Sequence, residues 1–253
     1  MITFLLKKTF LHYWDNLYKL LYANLCLALL IALCMYTLSQ EGGSYLSLVP
    51  FYLFNLLIGA TALVSRRISD HDLPENSLWL LGAKTLWKDA LFFTAWVILH
   101  AAVFTLLIPF YLGLANRLVG LSLAMTLFLV CIFWWVAMIY YYPLRLRLNL
   151  PVFRAAHRSL LFLTDNLSLS LAISLVSAVI LMLSVVTSML LPGISFVLIF
   201  HQVAGRTILL KYTYLESHPT ANRKDIPWNL LLKDDLEIIG KRSLKEILFP
   251  WKE

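Results

Sequence analysis

Long apolar runs alternate with short polar segments along this chain of 253 residues. Six of the runs have the ~17 to 25 residues that an α-helix needs to cross roughly 30 Å of hydrocarbon. The pattern therefore predicts an all-α fold, a polytopic transmembrane helix bundle of about six spans. The predicted spans are residues 17–38, 46–64, 90–112, 118–142, 167–191 and 194–210.

The last apolar run ends near residue 212, and the chain beyond it has the composition of a soluble segment. We therefore divide the chain into a transmembrane bundle, residues 1–212, and a short helical cytoplasmic tail, residues 213–253. Trp228 and Trp251 each follow a proline in the tail. They are predicted anchors, because an indole ring suits both a lipid headgroup layer and a protein groove. The tail can dock on its own bundle or bind a partner protein.

Positive charge falls on alternate connections between the spans, which predicts the orientation of the bundle. The first, third and fifth connections carry only Arg117 among them. Because cytoplasmic loops are enriched in Lys and Arg, both termini are predicted to be cytoplasmic. The first span is read as an uncleaved anchor, since it is long for a signal peptide and has no A-x-A type cleavage site. The cytoplasmic cations are Lys7, Lys8, Lys19, Arg66, Arg67, Lys84, Lys88, Arg145, Arg147, Arg154, Arg158 and eight residues from Lys211 onward.

Composition supports the membrane assignment, with 60% hydrophobic and 14% charged residues and a mean hydropathy of +0.78. The net charge of +7 is concentrated at helix ends, which favours contact with anionic lipid and gives no indication of a nucleic-acid partner. Cys26, Cys34 and Cys131 all lie in apolar runs, without metal-ligand spacing. The chain lacks phosphate-loop, zinc-helix and nucleophile-elbow motifs, so we predict neither a cofactor nor an enzyme.

An aspartate recurs before each odd-numbered span, at Asp15, Asp89 and Asp165, with spacings of 74 and 76 residues. A basic, aromatic-bearing lead segment precedes each aspartate, as in interfacial helices. The period suggests three tandem helix-hairpin repeats. The equally weighted alternative is that each aspartate simply caps a helix.

Four polar residues fall near the middle of the predicted spans: Asn55, His100, His201 and Gln202. Their side chains are too short to reach the interface, so they need partners inside the bundle. We expect them to meet as one midplane layer, either as hydrogen bonds that fix helix register or as a solute or proton site. Arg206 lies about 7.5 Å from Lys211 along the helix and is expected to extend to the interface.

Three further patterns carry weaker expectations. Serines at helical spacing in the fifth span predict a packing seam, with a hydroxyl-lined path as the alternative. Trp134, Trp135 and the run 140–142 predict lipid-facing bulk and an aromatic belt. Asp72 with Glu75 predicts a helix start, although nearby acidic and histidine side chains could bind a cation. The serines are Ser170, Ser174, Ser177, Ser184 and Ser188.

The stretches NLLIGATALVSRR, YYYPLRLRL, RAAHRSLLFLTDNLSLSL and LLPGISFVLIF resemble the YesL-like bacterial integral membrane proteins over most of residues 10 to 212. Members of that family are often encoded beside carbohydrate ABC importers and sugar-degrading enzymes. The resemblance implies an accessory role in sugar uptake in the bacterial cytoplasmic membrane. RAAHRSL also resembles the coupling loop of ABC permeases but lacks the downstream glycine.

These observations favour a non-catalytic membrane component linked to solute transport, with an ABC-type importer as its partner. The first alternative is a self-contained transporter that uses the midplane polar residues. The second is a membrane scaffold whose tail recruits a cytoplasmic protein.

Overall fold

The computed structural model describes residues 1–40, 43–220, 222 and 226–240, and all regular elements in these ranges are helical. A π-helical turn, Val103–Leu107, joins α6 to α7. The all-α prediction is confirmed. The α-helices are α1 (Ile2–Asp15), α2 (Leu17–Ser39), α3 (Gly43–Leu46), α4 (Leu48–Ser69), α5 (Ser77–Thr85), α6 (Trp87–Ala102), α7 (Ile108–Leu112), α8 (Arg117–Met138), α9 (Tyr141–Arg147), α10 (Val152–Asp165), α11 (Leu167–Val186), α12 (Gly193–Ser217), α13 (Trp228–Leu231) and α14 (Lys233–Gly240).

Six helical segments are long and apolar enough to cross a bilayer, which confirms the predicted number of spans. They differ from the predicted runs mainly at their ends, because a helix continues through polar residues wherever its backbone hydrogen bonds continue. Large apolar side chains such as Leu106, Phe110 and Leu118 are well exposed, as expected for lipid contact. The segments are Leu17–Ser39, Leu48–Ser69, Trp87–Leu112, Arg117–Arg147, Leu167–Val186 and Gly193–Ser217.

Each odd-numbered span is preceded by a separate lead helix: α1, α5 or α10. The interruptions between lead helix and span fall at Asn16, Leu86 and Asn166, and none of these residues caps the following helix through its side chain. Asp15 and Asp165 end their lead helices, whereas Asp89 lies inside the first turn of α6. The alternative that these aspartates cap the spans is therefore wrong, because the chain breaks at a different position.

The most buried span is α12, which packs against α1, α2, α4, α9 and α11. Phe200 and Val203 of α12 are fully buried in the main core. Tyr140, Tyr141 and Tyr142 belong to the same core, so the predicted aromatic belt is wrong at these positions. The chain turns between α8 and α9 and carries these rings inward, where two of the hydroxyls find buried partners.

The turn between α11 and α12 is held by a side chain from α2. Asn24 is buried, and its Nδ2 donates to the carbonyl oxygens of Leu190 at 2.9 Å and Pro192 at 3.1 Å. Its Oδ1 accepts from the backbone N–H of Ser195 at 3.0 Å. Gly193 has a φ of +72°, and an added Cβ would lie 2.1 Å from Asn24 Nδ2. The turn thus depends on glycine and on a partner from another span, because its polar backbone groups need hydrogen bonds within the membrane.

Candidate functional site

A cavity of about 590 Å³ lies between α4, α6, α8, α11 and α12. Its walls are mostly apolar and include the aromatic rings of Phe54, Trp96 and Trp135. Asn55 and His201, two of the four predicted midplane residues, line it. Small ligands occupy cavities of roughly 300–1,000 Å³, so this is a candidate binding site within the bundle.

The two predicted polar residues at the cavity already bond to other helices or to their own helix. Asn55 Nδ2 donates to the carbonyl oxygen of Phe51 at 3.0 Å and to Thr94 Oγ1 at 3.2 Å. His201 Nε2 lies 2.9 Å from Ser177 Oγ. These bonds join α4 to α6 and α11 to α12, so they can fix the register of neighbouring spans.

The other two predicted midplane residues do not line the cavity. His100 places Nδ1 2.8 Å from the carbonyl oxygen of Trp96, and the two rings pack with their centroids 4.5 Å apart. Gln202 is 1% exposed, and neither amide atom has a hydrogen-bond partner among the described residues. The structure therefore brings Asn55 and His201 together at one cavity and places His100 and Gln202 outside its lining.

The serines of the fifth span lie mainly along helix contacts. Ser170 Oγ is 2.7 Å from the hydroxyl of Tyr140, and Ser184 Oγ accepts from the backbone N–H of Gly193 at 2.9 Å. Of Ser170, Ser177 and Ser184, only Ser177 lines the cavity. This arrangement agrees with a packing seam, and these three hydroxyls do not share one continuous path.

A cluster of ionisable side chains joins the described part of the tail to the bundle. Asp235 of α14 is 4% exposed. Its Oδ1 lies 2.7 Å from Lys8 Nζ, 3.0 Å from His71 Nε2 and 3.0 Å from Arg206 Nη1. We call these four residues the Asp235 cluster. It holds α14 against its own bundle, which is one of the two arrangements considered for the tail.

Asp70 lies beside the Asp235 cluster and pairs with arginines from three helices. Its carboxylate is 2.8 Å from Arg147 Nη1, 3.6 Å from Arg206 Nε and 4.0 Å from Arg66 Nε. The expectation that Arg206 extends to the lipid interface is therefore wrong, because two carboxylates inside the protein bind its guanidinium. Arg147 also donates to Ser69 Oγ at 2.7 Å.

The loop that follows α4 does not start a helix at Asp72, as the acidic pattern predicted. The carboxylate of Asp72 instead pairs with Arg67 at 3.1 Å. The next helix, α5, begins at Ser77, and the hydroxyl of Ser77 donates to Glu75 Oε2 at 3.0 Å. The local acidic residues therefore bond within the loop, and the helix starts one turn later.

Burial and charge shift the pKa values of the Asp235 cluster and its surroundings. Burial alone raises the pKa of Asp235, but bonds and charges from Lys8, His71 and Arg206 outweigh it and lower the pKa to about 2. Burial and the charge of Arg206 lower the pKa of Lys8 to about 8. Burial, followed by the charge of Lys8, lowers the pKa of neighbouring His12 to about 3. At neutral pH, Asp235 is ionised, Lys8 is mostly protonated and His12 is neutral.

The three predicted repeat aspartates have different surroundings. Asp89 is fully buried and accepts from the Tyr141 hydroxyl at 2.6 Å and from Arg145 Nε at 2.8 Å. Asp165 accepts from the hydroxyl of Tyr212. Asp15 lines a small cavity of about 40 Å³ together with members of the Asp235 cluster. Their equal spacing therefore does not produce equal contacts.

The predicted tail anchors are only partly described. Trp228 begins α13 and is partly exposed, whereas Trp251 and the proposed helix start at residue 243 lie outside the described residues. Within the described ranges, no group of three or more His, Cys, Asp or Glu side chains could hold a metal ion. The acidic loop after α4 therefore provides no support for the cation-binding alternative.

Sequence reasoning missed the Asp235 cluster. Its members come from four separate segments, α1, the loop after α4, α12 and α14. No spacing motif connects them, and Asp235 looks like one more acidic residue of a charge-balanced tail. The one local sign is Arg206, a cation inside an apolar span that needs a partner.

Comparisons of this chain with family models, with curated proteins and with solved structures found no match.

Proposed function

We propose that this protein is a non-catalytic component of the bacterial cytoplasmic membrane that assists solute transport, acting beside an ABC-type importer of sugars. The observation that carries the proposal is the mostly apolar wall of the cavity between the spans. A sugar leaving water needs many hydrogen-bond partners, and Asn55 and His201 are already bonded within the protein. The cavity therefore suits an accessory protein better than a carrier of free sugar.

The contacts at the ends of the bundle support the proposed orientation. Lys8 near the N-terminus and Asp235 in the tail are in direct contact, so α1 and α14 lie at the same end of the bundle. Arg66, Arg147 and Arg206 lie at that end too. An end rich in arginine and lysine belongs on the cytoplasmic side by the positive-inside rule.

Uptake measurements with and without an importer test the proposal. Proteoliposomes that contain this chain alone should take up labelled mono- and disaccharides no faster than empty liposomes. In bacterial cells, deleting the gene should slow uptake through the sugar importer, and the full-length chain should restore it. Saturable flux through the chain alone that His201→Ala abolishes would overturn the accessory role and support the self-contained transporter. His157→Ala, a change at an exposed histidine of α10, serves as the matched control.

A further inference from the structure

Cationic side chains from three parts of the bundle converge on one carboxylate from the tail of the same chain. We propose that Lys8, His71 and Arg206 form a binding site for the phosphate of an anionic lipid headgroup, and that Asp235 occupies this site when α14 is docked. The proposal does not depend on a role in sugar transport. Asp235 then acts as an internal substitute for the lipid phosphate.

The balance of charge shows why this site needs an anion. Lys8, Arg66, Arg147 and Arg206 supply four positive charges, against two negative charges from Asp70 and Asp235. Without Asp235 the balance becomes four to one. The side chain of Lys8 is only 2% exposed, so water cannot readily replace the missing carboxylate. A buried ammonium without a counter-charge is strongly unfavourable, so another anion is attracted when α14 leaves.

The tail helix is otherwise lightly attached. In the apolar contacts between α14 and the bundle, Ile239 packs with Leu11 in a small cluster separate from the main core. Leu236 and Ile238 are 39% and 45% exposed. The ion pairs of Asp235 therefore provide much of the attachment, and an anion that competes for the same cations can displace α14.

The position of the site favours a lipid phosphate over a soluble one. Arg206 lies on the spanning helix α12, about 7.5 Å from Lys211, and donates to the carbonyl oxygen of Ser69 at the end of span α4 at 3.3 Å. Headgroup phosphates lie at the ends of spanning helices, and basic pockets between such helices bind anionic headgroups. The side chains of Arg206 and His71 are 27% and 28% exposed, so the site has an open side. A guanidinium beside an ammonium also suits phosphate geometry.

The test uses the full-length chain in phosphatidylcholine nanodiscs with and without a minor fraction of phosphatidylglycerol. Asp235→Asn removes the charge of the competing carboxylate while keeping its shape. We expect this variant to retain several-fold more phosphatidylglycerol than the wild type in native mass spectrometry. We also expect faster hydrogen exchange in residues 233–240. Asp234→Asn, a change at an exposed acid of the same helix, should behave like the wild type in both measurements.

Two further arms identify the site and the ligand. Adding Arg206→Gln to Asp235→Asn should return phosphatidylglycerol retention to the wild-type level. In the wild type itself, phosphatidylglycerol should speed hydrogen exchange of residues 233–240, which tests the proposal even if a variant fails to fold. Equal retention by Asp235→Asn and Asp234→Asn would overturn the proposal. Stabilisation of Asp235→Asn by inorganic phosphate in phosphatidylcholine alone, without extra phosphatidylglycerol retention, would show a soluble-anion site and also overturn it.

Discussion

Buried charged residues are concentrated where the spans meet the lead helices and the tail. Asp89 is fully buried, yet each of its carboxylate oxygens accepts a hydrogen bond, from Tyr141, Arg145 or both. Lys8 and Asp235 satisfy one another in the same way. Such pairs persist in a low-dielectric interior because each partner compensates for the lost hydration of the other. Removal of one partner is therefore more damaging than its exposed counterpart would suggest.

The pair of Asp89 and Arg145 provides a test at this scale. Asp89→Asn keeps the shape of the side chain but removes the charge that compensates the Arg145 guanidinium. We expect the free energy of unfolding to fall by about 3–5 kcal/mol, the usual cost of breaking a buried ion pair. The measurement is reversible unfolding in detergent micelles, followed by circular dichroism.

Asp72→Asn is the control for that experiment, because Asp72 also pairs with an arginine but at the surface. The side chains of Arg67 and Asp72 are 50% and 53% exposed. Loss of an exposed pair should change the free energy of unfolding by less than about 1 kcal/mol. If both variants lost the same stability, the burial of Asp89 would have no special importance.

Among the helices, α12 has the central position because small residues let its neighbours approach closely. Gly205 lies on the side of α12 that packs against α9. An added Cβ there would lie 2.3 Å from Pro143 Cβ, well inside a normal contact. The two helices can therefore pack at their present distance only with glycine at this position.

Gly205→Ala tests this close approach. The extra methyl group must push α12 away from α9, and overpacking of this kind costs about 1–3 kcal/mol. We expect a lower unfolding temperature for the purified protein in detergent. Gly113→Ala is the matched control, since its added Cβ would meet the nearest atoms at 3.5 Å, an ordinary contact. An unchanged unfolding temperature for Gly205→Ala would show that the helices can separate at little cost.

The lead helices show what an element contributes beyond its own sequence. The sequence analysis anticipated amphipathic segments before each odd-numbered span, and α1, α5 and α10 occupy those segments. It did not anticipate that α1 packs along α12, with the rings of Tyr13 and Phe196 5.2 Å apart at their centroids. An interfacial pattern records only that a helix has one apolar face, and a protein neighbour can bury that face as well as lipid can.

For the whole molecule, an even number of spans requires both chain ends to lie on the same side of the membrane. The contact between Lys8 and Asp235 agrees with this arrangement. Reporter fusions at either end should therefore both report a cytoplasmic location, as the distribution of Lys and Arg predicts. A reporter inserted after Gly113, in the third connection, should report the opposite side. Reporters that placed the two ends on different sides would contradict the six-span bundle.

The sequence by itself determined the class of protein, the six spans and the helical tail. These properties follow from apolar runs such as residues 17–38, whose length and hydrophobicity act locally along the chain. Only the tertiary structure decided that Tyr140 is buried, that Asn55 and His201 share a cavity without His100, and that Asp235 binds Lys8 and Arg206. Those contacts join residues far apart in the chain, and one sequence contains no periodic pattern that records which faces of different helices meet.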